Sequence, residues 1–200
     1  IGFPFTWRSL GEYFAAIEDK LQFNIGSLVG HSTLRAGNMD DWHTLQPEQM
    51  QAMRDALTQS MREGALGLST GLIYAPSCFA EMDEIVQLAA IAAREGGVYA
   101  SHIRNERDQL EEAVAEALEI GKRAGARVLV SHLKAAERPN WGKIPTVLKM
   151  IEEFNASSPL QAAVDVYPYT ATSTKLRAFI PKYILQDGIA AVAEKVKDPK

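Results

Sequence analysis

The feature that most constrains this chain is a repeating order: a short apolar run ending in a polar residue, then a helical stripe closed by glycine, then the next apolar run. From Glu84 to Glu95, residues Ile85, Leu88, Ala89 and Ala92 share one helical side and Gly96-Gly97 stops the pattern, after which Val98-Tyr99-Ala100-Ser101-His102 reads as a strand. The cycle repeats. Leu110, Val114, Ala117 and Gly121 trace a helix ending near Gly125, and Arg127 to His132 forms the next strand. Ile144, Val147, Leu148, Ile151 and Phe154 give a third stripe before a strand at Gln161 to Tyr167. Upstream, Ser9-Leu10-Gly11-Glu12 has the form of a capping box opening a helix with Tyr13, Phe14, Ile17 and Leu21 on one side. A strand is expected at Ile25 to Gly30, a helix opened by Pro47 with Met50, Met53, Leu57 and Met61 inside, and a strand at Ala65 to Ser69. Residues 174–188 are irregular, and 189–197 reads as a last amphipathic helix.

Five strands alternating with helices predict repeated βα units and a parallel sheet, which a doubly wound sheet and a barrel both satisfy. The polar residues favour the barrel. His31, Ser69, His102, His132 and Tyr167 all fall where a strand hands over to its loop, the face that carries chemistry in barrels. Eight units need about 250 residues, so five units imply a partial, TIM-like (β/α) barrel of the α/β class. The chain begins at Ile1 without methionine and stops at Lys200 after a helical pattern. Residues 1–200 are therefore expected to be the central part of a longer catalytic domain, without its first and last barrel strands.

Composition narrows the partners. With 46% apolar and 23% charged residues the chain can bury a core, and a net charge of -4 gives no basic excess to steer it to nucleic acid or an anionic membrane. A small molecule is the expected partner. No apolar run approaches the roughly 18 residues that span a bilayer, and Ile1-Gly2-Phe3-Pro4 has no targeting character. The solitary Cys78 cannot form an internal disulfide, which fits a reducing compartment and a cytoplasmic location.

Ser101-His102 and Ser131-His132 end two consecutive strands. Neighbouring strands lie about 4.8 Å apart, close enough for both imidazoles to reach one zinc ion at about 2.0–2.1 Å. His102 and His132 are thus the candidate metal ligands. His31 is expected to hydrogen-bond at the rim, and His43, in Asp40-Asp41-Trp42-His43, to lie in a polar surface loop.

Five segments in order carry a resemblance: Val29-Gly30-His31-Ser32-Thr33-Leu34-Arg35, Gly67-Leu68-Ser69-Thr70-Gly71-Leu72-Ile73-Tyr74, Ser101-His102-Ile103-Arg104-Asn105-Glu106, Ser131-His132-Leu133-Lys134 and Tyr167-Pro168-Tyr169-Thr170. From about Trp7 onward the chain resembles the N-acyl-D-amino-acid deacylases, or D-aminoacylases, of the amidohydrolase superfamily. The resemblance implies zinc-dependent hydrolysis of the amide bond of N-acyl-D-amino acids, releasing a carboxylate and a free D-amino acid. It implies that His102 and His132 match the zinc-binding histidines of the fifth and sixth barrel strands. Lys134, Tyr74 and Ser173 would match groups holding the substrate's α-carboxylate, a role suited to an ammonium and to hydroxyl donors.

Parts of that family's pattern have no counterpart. No two histidines stand two residues apart, so the first-strand His-x-His is missing, and the family's catalytic aspartate and a further arginine are expected beyond Lys200. No catalytic residue is therefore expected within this chain, and these 200 residues alone should not turn over substrate. Their uncovered strand edges could self-associate. The family's cysteine ligand comes from an earlier segment, so Cys78 reads as a loop thiol. Asp165, between Val164 and Val166, reads either as a group supporting the site or as half of an ion pair. The alternatives are a cyclic amidase of the dihydroorotase or hydantoinase type, a non-catalytic barrel fragment and a metal-free phosphate-handling barrel. The first commonly relies on a carboxylated lysine on the fourth strand, and residues 65–69 contain no lysine. The last lacks the required glycine-rich loop before a helix.

Overall fold

A computed structural model of the chain describes residues 7–39, 41–185, 188–195 and 197. Ile1 to Pro4, Asp40 and Val196, which figure in the readings above, lie outside the described residues. Five parallel strands form one sheet in sequential order: β1 (Val29–Gly30), β2 (Gly67–Gly71), β3 (Val98–His102), β4 (Arg127–Val130) and β5 (Ala162–Val164). The helices are α1 (Leu10–Ile17), α2 (His31–Asn38), α3 (Pro47–Arg62), α4 (Met82–Arg94), α5 (Leu110–Ala124), α6 (Ile144–Ser157), α7 (Lys182–Leu185) and α8 (Gly188–Lys195). Every strand-to-strand crossover therefore runs through at least one helix, as the alternation predicts. Among the described residues, no helix is long and apolar enough to cross a membrane.

Local chemistry sets most boundaries. Pro47 occupies the first turn of α3, and Gln46 and Gln49 exchange side chain-to-backbone bonds as a capping box. Met50, Met53, Leu57 and Met61 are its buried face. In α5, Glu111 and Glu112 stand in the first turn and Lys122 and Arg123 in the last, matching the helix dipole, and Gly125 closes it in the left-handed conformation. Two glycines are required by close approach. A Cβ on Gly121 would stand 2.1 Å from Val128 Cγ2, where α5 lies against β4, and one on Gly67, at φ +147°, would stand 2.0 Å from the Val98 carbonyl oxygen.

The core fills the space between the sheet and its helices. Leu68, Tyr99, Val128 and Val130 face Met53, Leu57, Ile85, Leu88, Val114, Ile120 and Val147. Burying side chains of this size stabilises the fold by about 1.5–3 kcal/mol each.

Several expected boundaries move. The strand expected at 25–30 pairs only at Val29–Gly30 and is followed at once by α2, so His31 is the first residue of a helix and fully buried, not a rim residue. The strand expected through His132 ends at Val130, and the one expected through Tyr167 ends at Val164. The cause is visible at the junction. The Leu133 amide donates to the Asp165 carbonyl at 3.0 Å and the His132 amide to Asp165 Oδ1 at 2.5 Å, which turns both chains out of the ladder. At α1, Ser9 caps the Glu12 amide at 3.2 Å, while the Glu12 carboxylate takes the Arg8 amide instead of that of Ser9, so the box is not reciprocal.

Candidate metal centre and its cleft

The parallel register carries His102 and His132 to the same end of the sheet. His102 is the last residue of β3, paired with Gly71, and His132 lies two residues past β4 with φ +43°. Their rings meet nearly perpendicular, centroids 4.4 Å apart. A third group joins them. One ligand atom from each of His102, Glu106 and His132 lies within 4.8 Å of the others.

The bonding within this cluster is uneven. Glu106 Oε1 accepts from Lys134 Nζ at 2.5 Å and lies 3.1 Å from His132 Nδ1 and 3.9 Å from His102 Nε2. Lys134 Nζ also lies 2.9 Å from His132 Nδ1. His102 Nε2 is buried without a hydrogen-bond partner. Burial pushes the His102 imidazolium down to a pKa of about 4, the nearby Glu106 charge opposing and those of His132 and Lys134 assisting, so the ring is neutral at pH 7. Burial alone would push the Glu106 carboxyl up, but its hydrogen bonds to His132 and Lys134 and the ammonium charge outweigh that, and it sits below the usual carboxylate range.

A neutral imidazole with an unpartnered buried nitrogen, a second imidazole and an ionised carboxylate form a donor set that suits zinc. These side chains line a cleft of about 800 Å³ with Tyr74, Lys134, Tyr167, Ser173, Arg107 and Phe179. Each sequence-predicted site residue is therefore on this cleft. Tyr74 lies 5.1 Å from the His102 ring, and its hydroxyl shares a 2.7 Å hydrogen bond with Thr174 Oγ1; the neighbouring Ser173 is exposed.

No family model matches the sequence. The chain is 41% identical over 173 residues to an N-acyl-D-glutamate deacylase and 37% identical over 178 residues to a D-aminoacylase, both of Alcaligenes xylosoxydans xylosoxydans. These alignments cover 85% and 88% of this chain but only 35% and 36% of the relatives. A crystal structure of N-acyl-D-glutamate deacylase from Bordetella bronchiseptica, complexed with zinc and a phosphonate mimic of the tetrahedral intermediate, superposes with a TM-score of 0.78 at 38% identity, covering 80% of this chain and 34% of that one. The chain is homologous to the N-acyl-D-amino-acid deacylases of the amidohydrolase superfamily. It spans about a third of the length of the relatives it matches.

Among the residues lining this deacylase homologue's cleft, Glu106 and Tyr167 stand closest to the histidine pair without being named from sequence as site groups. Glu106 lies four residues after His102, a spacing that points nowhere in particular outside a helix. Tyr167 was recognised only as a strand end; its hydroxyl is buried without a partner and the Lys134 ammonium lies 5.5 Å from its ring centroid. Asp165 Oδ1 accepts from the His132 amide at 2.5 Å. Cys78 is buried in the loop after Tyr74 and is not one of the three converging groups. His43 is exposed, as expected of a polar loop, with its ring 4.2 Å from that of Phe79.

His31 belongs to a second, separate polar network. Its Nδ1 lies 2.7 Å from Ser77 Oγ and its Nε2 2.8 Å from Glu84 Oε1. Arg35 donates to both Glu84 oxygens, at 2.7 and 2.9 Å, and to the Trp42 and Pro76 carbonyls. The network ties α2 and α4 to the loop that follows Tyr74. Burial alone would raise the Glu84 carboxyl, yet the hydrogen bonds and charges of His31 and Arg35 hold it below its ordinary value.

Proposed function

We propose that this chain supplies the zinc-binding and carboxylate-anchoring part of an enzyme that hydrolyses N-acyl-D-amino acids to a carboxylate and a free D-amino acid. The observation that carries the reading is the meeting of two imidazoles 4.4 Å apart at one strand-end rim, one of them with a buried nitrogen that has no partner. The relatives and the zinc complex of a similar protein support it.

His102 and His132 would hold zinc in this reading, and the chemistry such an ion would supply is Lewis-acid polarisation of the scissile carbonyl. The chain's other groups position the substrate. The Lys134 ammonium gives a compact positive charge for the α-carboxylate, with the Tyr74, Ser173 and Tyr167 hydroxyls as donors around it. A buried hydroxyl without a partner forgoes about 1–3 kcal/mol, so an anion that accepts from Tyr167 recovers that loss on binding. Fixing the carboxylate aims the amide at the imidazole pair, and the side on which the anchor stands selects the configuration. The cyclic-amidase alternative gains nothing here, since β2 carries no lysine.

Release of amino acid from paired N-acetyl-D- and N-acetyl-L-substrates by the full-length enzyme of which this chain is proposed to be a part, with zinc quantified, tests the reading; residues 1–200 alone should give none. Zinc-dependent hydrolysis confined to the D-series is expected, and lost in His102→Asn and His132→Asn. Hydrolysis that survives both substitutions would sink it.

A further inference from the structure

We propose that Arg104 is a positioning residue: its guanidinium fixes where the Tyr74 hydroxyl stands relative to His102 by gripping the loop that follows Tyr74. The inference rests on the carboxylate anchor proposed above and names the group that holds one of its donors in place.

The loop between β2 and α4 needs outside partners. Residues 75–80 carry one short 3-10 turn, Ser77–Phe79, and Ser77, Cys78 and Ala80 are buried, so their carbonyls have neither a ladder nor open water to bond to. Two arginines supply donors. Arg35 reaches the Pro76 carbonyl from α2 at 3.0 Å. Arg104, two residues beyond His102, reaches the Cys78 carbonyl at 3.0 Å and the Ala80 carbonyl at 3.2 Å. Glu116 of α5 aims the guanidinium: its two oxygens accept from Arg104 Nε at 3.1 and 2.9 Å, and Oε1 also accepts from Nη2 at 2.8 Å. A planar fork serves a carboxylate and two carbonyls at once, whereas an ammonium gathers its donors on one atom and cannot span them.

These bonds form a path from the histidine to the anchor. Arg104 holds the Cys78 carbonyl, and the Cys78 amide donates to the Tyr74 carbonyl at 2.8 Å. On the other side of Tyr74, the Leu72 amide donates to the His102 carbonyl at 3.0 Å. Tyr74 is therefore tied to the end of β3 both upstream and downstream, and its ring stays 5.1 Å from that of His102. Removing the fork releases the downstream tie. Arg104 also lines the cleft, but each of its guanidinium nitrogens is already engaged within the protein. It therefore places a donor for the substrate and is not itself that donor.

Kinetics of Arg104→Lys, Tyr74→Phe and the double variant of the full-length enzyme on N-acetyl-D-amino acids, with zinc quantified, test this. Arg104→Lys should raise KM by about tenfold, the worth of one hydrogen bond to a charged group, with kcat changed by no more than about twofold and bound zinc unchanged. On the Tyr74→Phe background the same change should raise KM no further, because the donor it places is already gone. A brace that served stability alone would add its cost on both backgrounds. Glu116→Gln, which frees the guanidinium from α5, should move KM in the same direction and carries the cycle where Arg104→Lys does not fold. 3-Fluorotyrosine at position 74 gives a readout that needs no substrate: its fluorine resonance should shift or split in Arg104→Lys and in Glu116→Gln. An unmoved resonance, an unchanged KM in the active enzyme, loss of zinc, or a further rise in KM on the Tyr74→Phe background overturns the proposal. An unsubstituted enzyme that hydrolyses no N-acyl-D-amino acid, with the resonance still displaced by Arg104→Lys, counts against the deacylase reading alone. Zinc-dependent hydrolysis of the D-series with an unmoved resonance counts against this one alone.

Discussion

Asp165 holds the backbone that presents one of the two proposed metal-ligating histidines. His132 stands at φ +43°, a left-handed conformation that is uncommon outside glycine, and its amide is held by Asp165 Oδ1 at 2.5 Å. Removing that acceptor lets the backbone relax and swings the imidazole away from His102. Asp165→Ala is expected to raise the zinc Kd by about 10–100-fold, the usual cost of losing a group that orients a ligand, with little change in melting because the side chain is exposed. Chelator competition beside a thermal melt separates the two effects. Glu84 illustrates the opposite case, a buried charge whose role is stability. Its folded pKa lies below the ordinary value, so its contribution is complete above the unfolded pKa of about 4.3 and is lost as pH falls through the lowered folded value. Glu84→Gln strands the buried Arg35 guanidinium, which should cost about 3–5 kcal/mol at neutral pH. Calorimetric melts taken from neutrality into acid should show the gap between variant and parent closing; a gap independent of pH would contradict the assignment.

Elements were legible in proportion to their length and to how far local chemistry decided them. The stripe of Met50, Met53, Leu57 and Met61 and the stop at Gly125 put α3 and α5 where they are, because burial on one face needs a 3.6-residue repeat. Strand ends were less readable. Val130 and Val164 end their strands because Asp165 bonds across to His132 and Leu133, a tertiary event with no periodic signature. The helix at His31–Asn38 escaped for a related reason: it buries His31 and Arg35, polar residues that only the distant Glu84 makes tolerable inside. The two site histidines were visible as matched strand ends, whereas Glu106 needed a loop to fold back. The helix-to-strand seam gives a test at this scale. Gly121→Ala should cost about 1–3 kcal/mol, since the new methyl meets Val128 Cγ2, a side-chain atom that can shift. Gly67→Ala should cost more, because the obstacle is the Val98 backbone and φ is +147° as well. Urea midpoints of the two variants should fall in that order.

At the scale of the whole molecule, all the chemistry stands at one end of a parallel sheet. His102, Glu106, His132, Lys134, Tyr74 and Tyr167 follow the carboxyl ends of their strands, and the His31–Glu84–Arg35 network braces the loop after Tyr74 at the same end. The opposite end carries the glycine stops and strand entries, such as Gly96 and Arg127, whose guanidinium donates to the Gly96 carbonyl at 2.8 Å. Parallel strands enforce this division, since each loop leaving a strand opens on one rim and each loop entering a strand on the other. The two rims should then answer differently to mutation. Arg127→Ala removes one exposed hydrogen bond and should change stability by no more than about 1 kcal/mol, leaving the zinc Kd where it was. Asp165→Ala, also an exposed change but at the other rim, should leave stability equally little changed and weaken zinc. Were Arg127→Ala to weaken zinc as much as Asp165→Ala does, the separation of a chemical rim from a structural one would fail, and with it the reason for placing the site by strand direction.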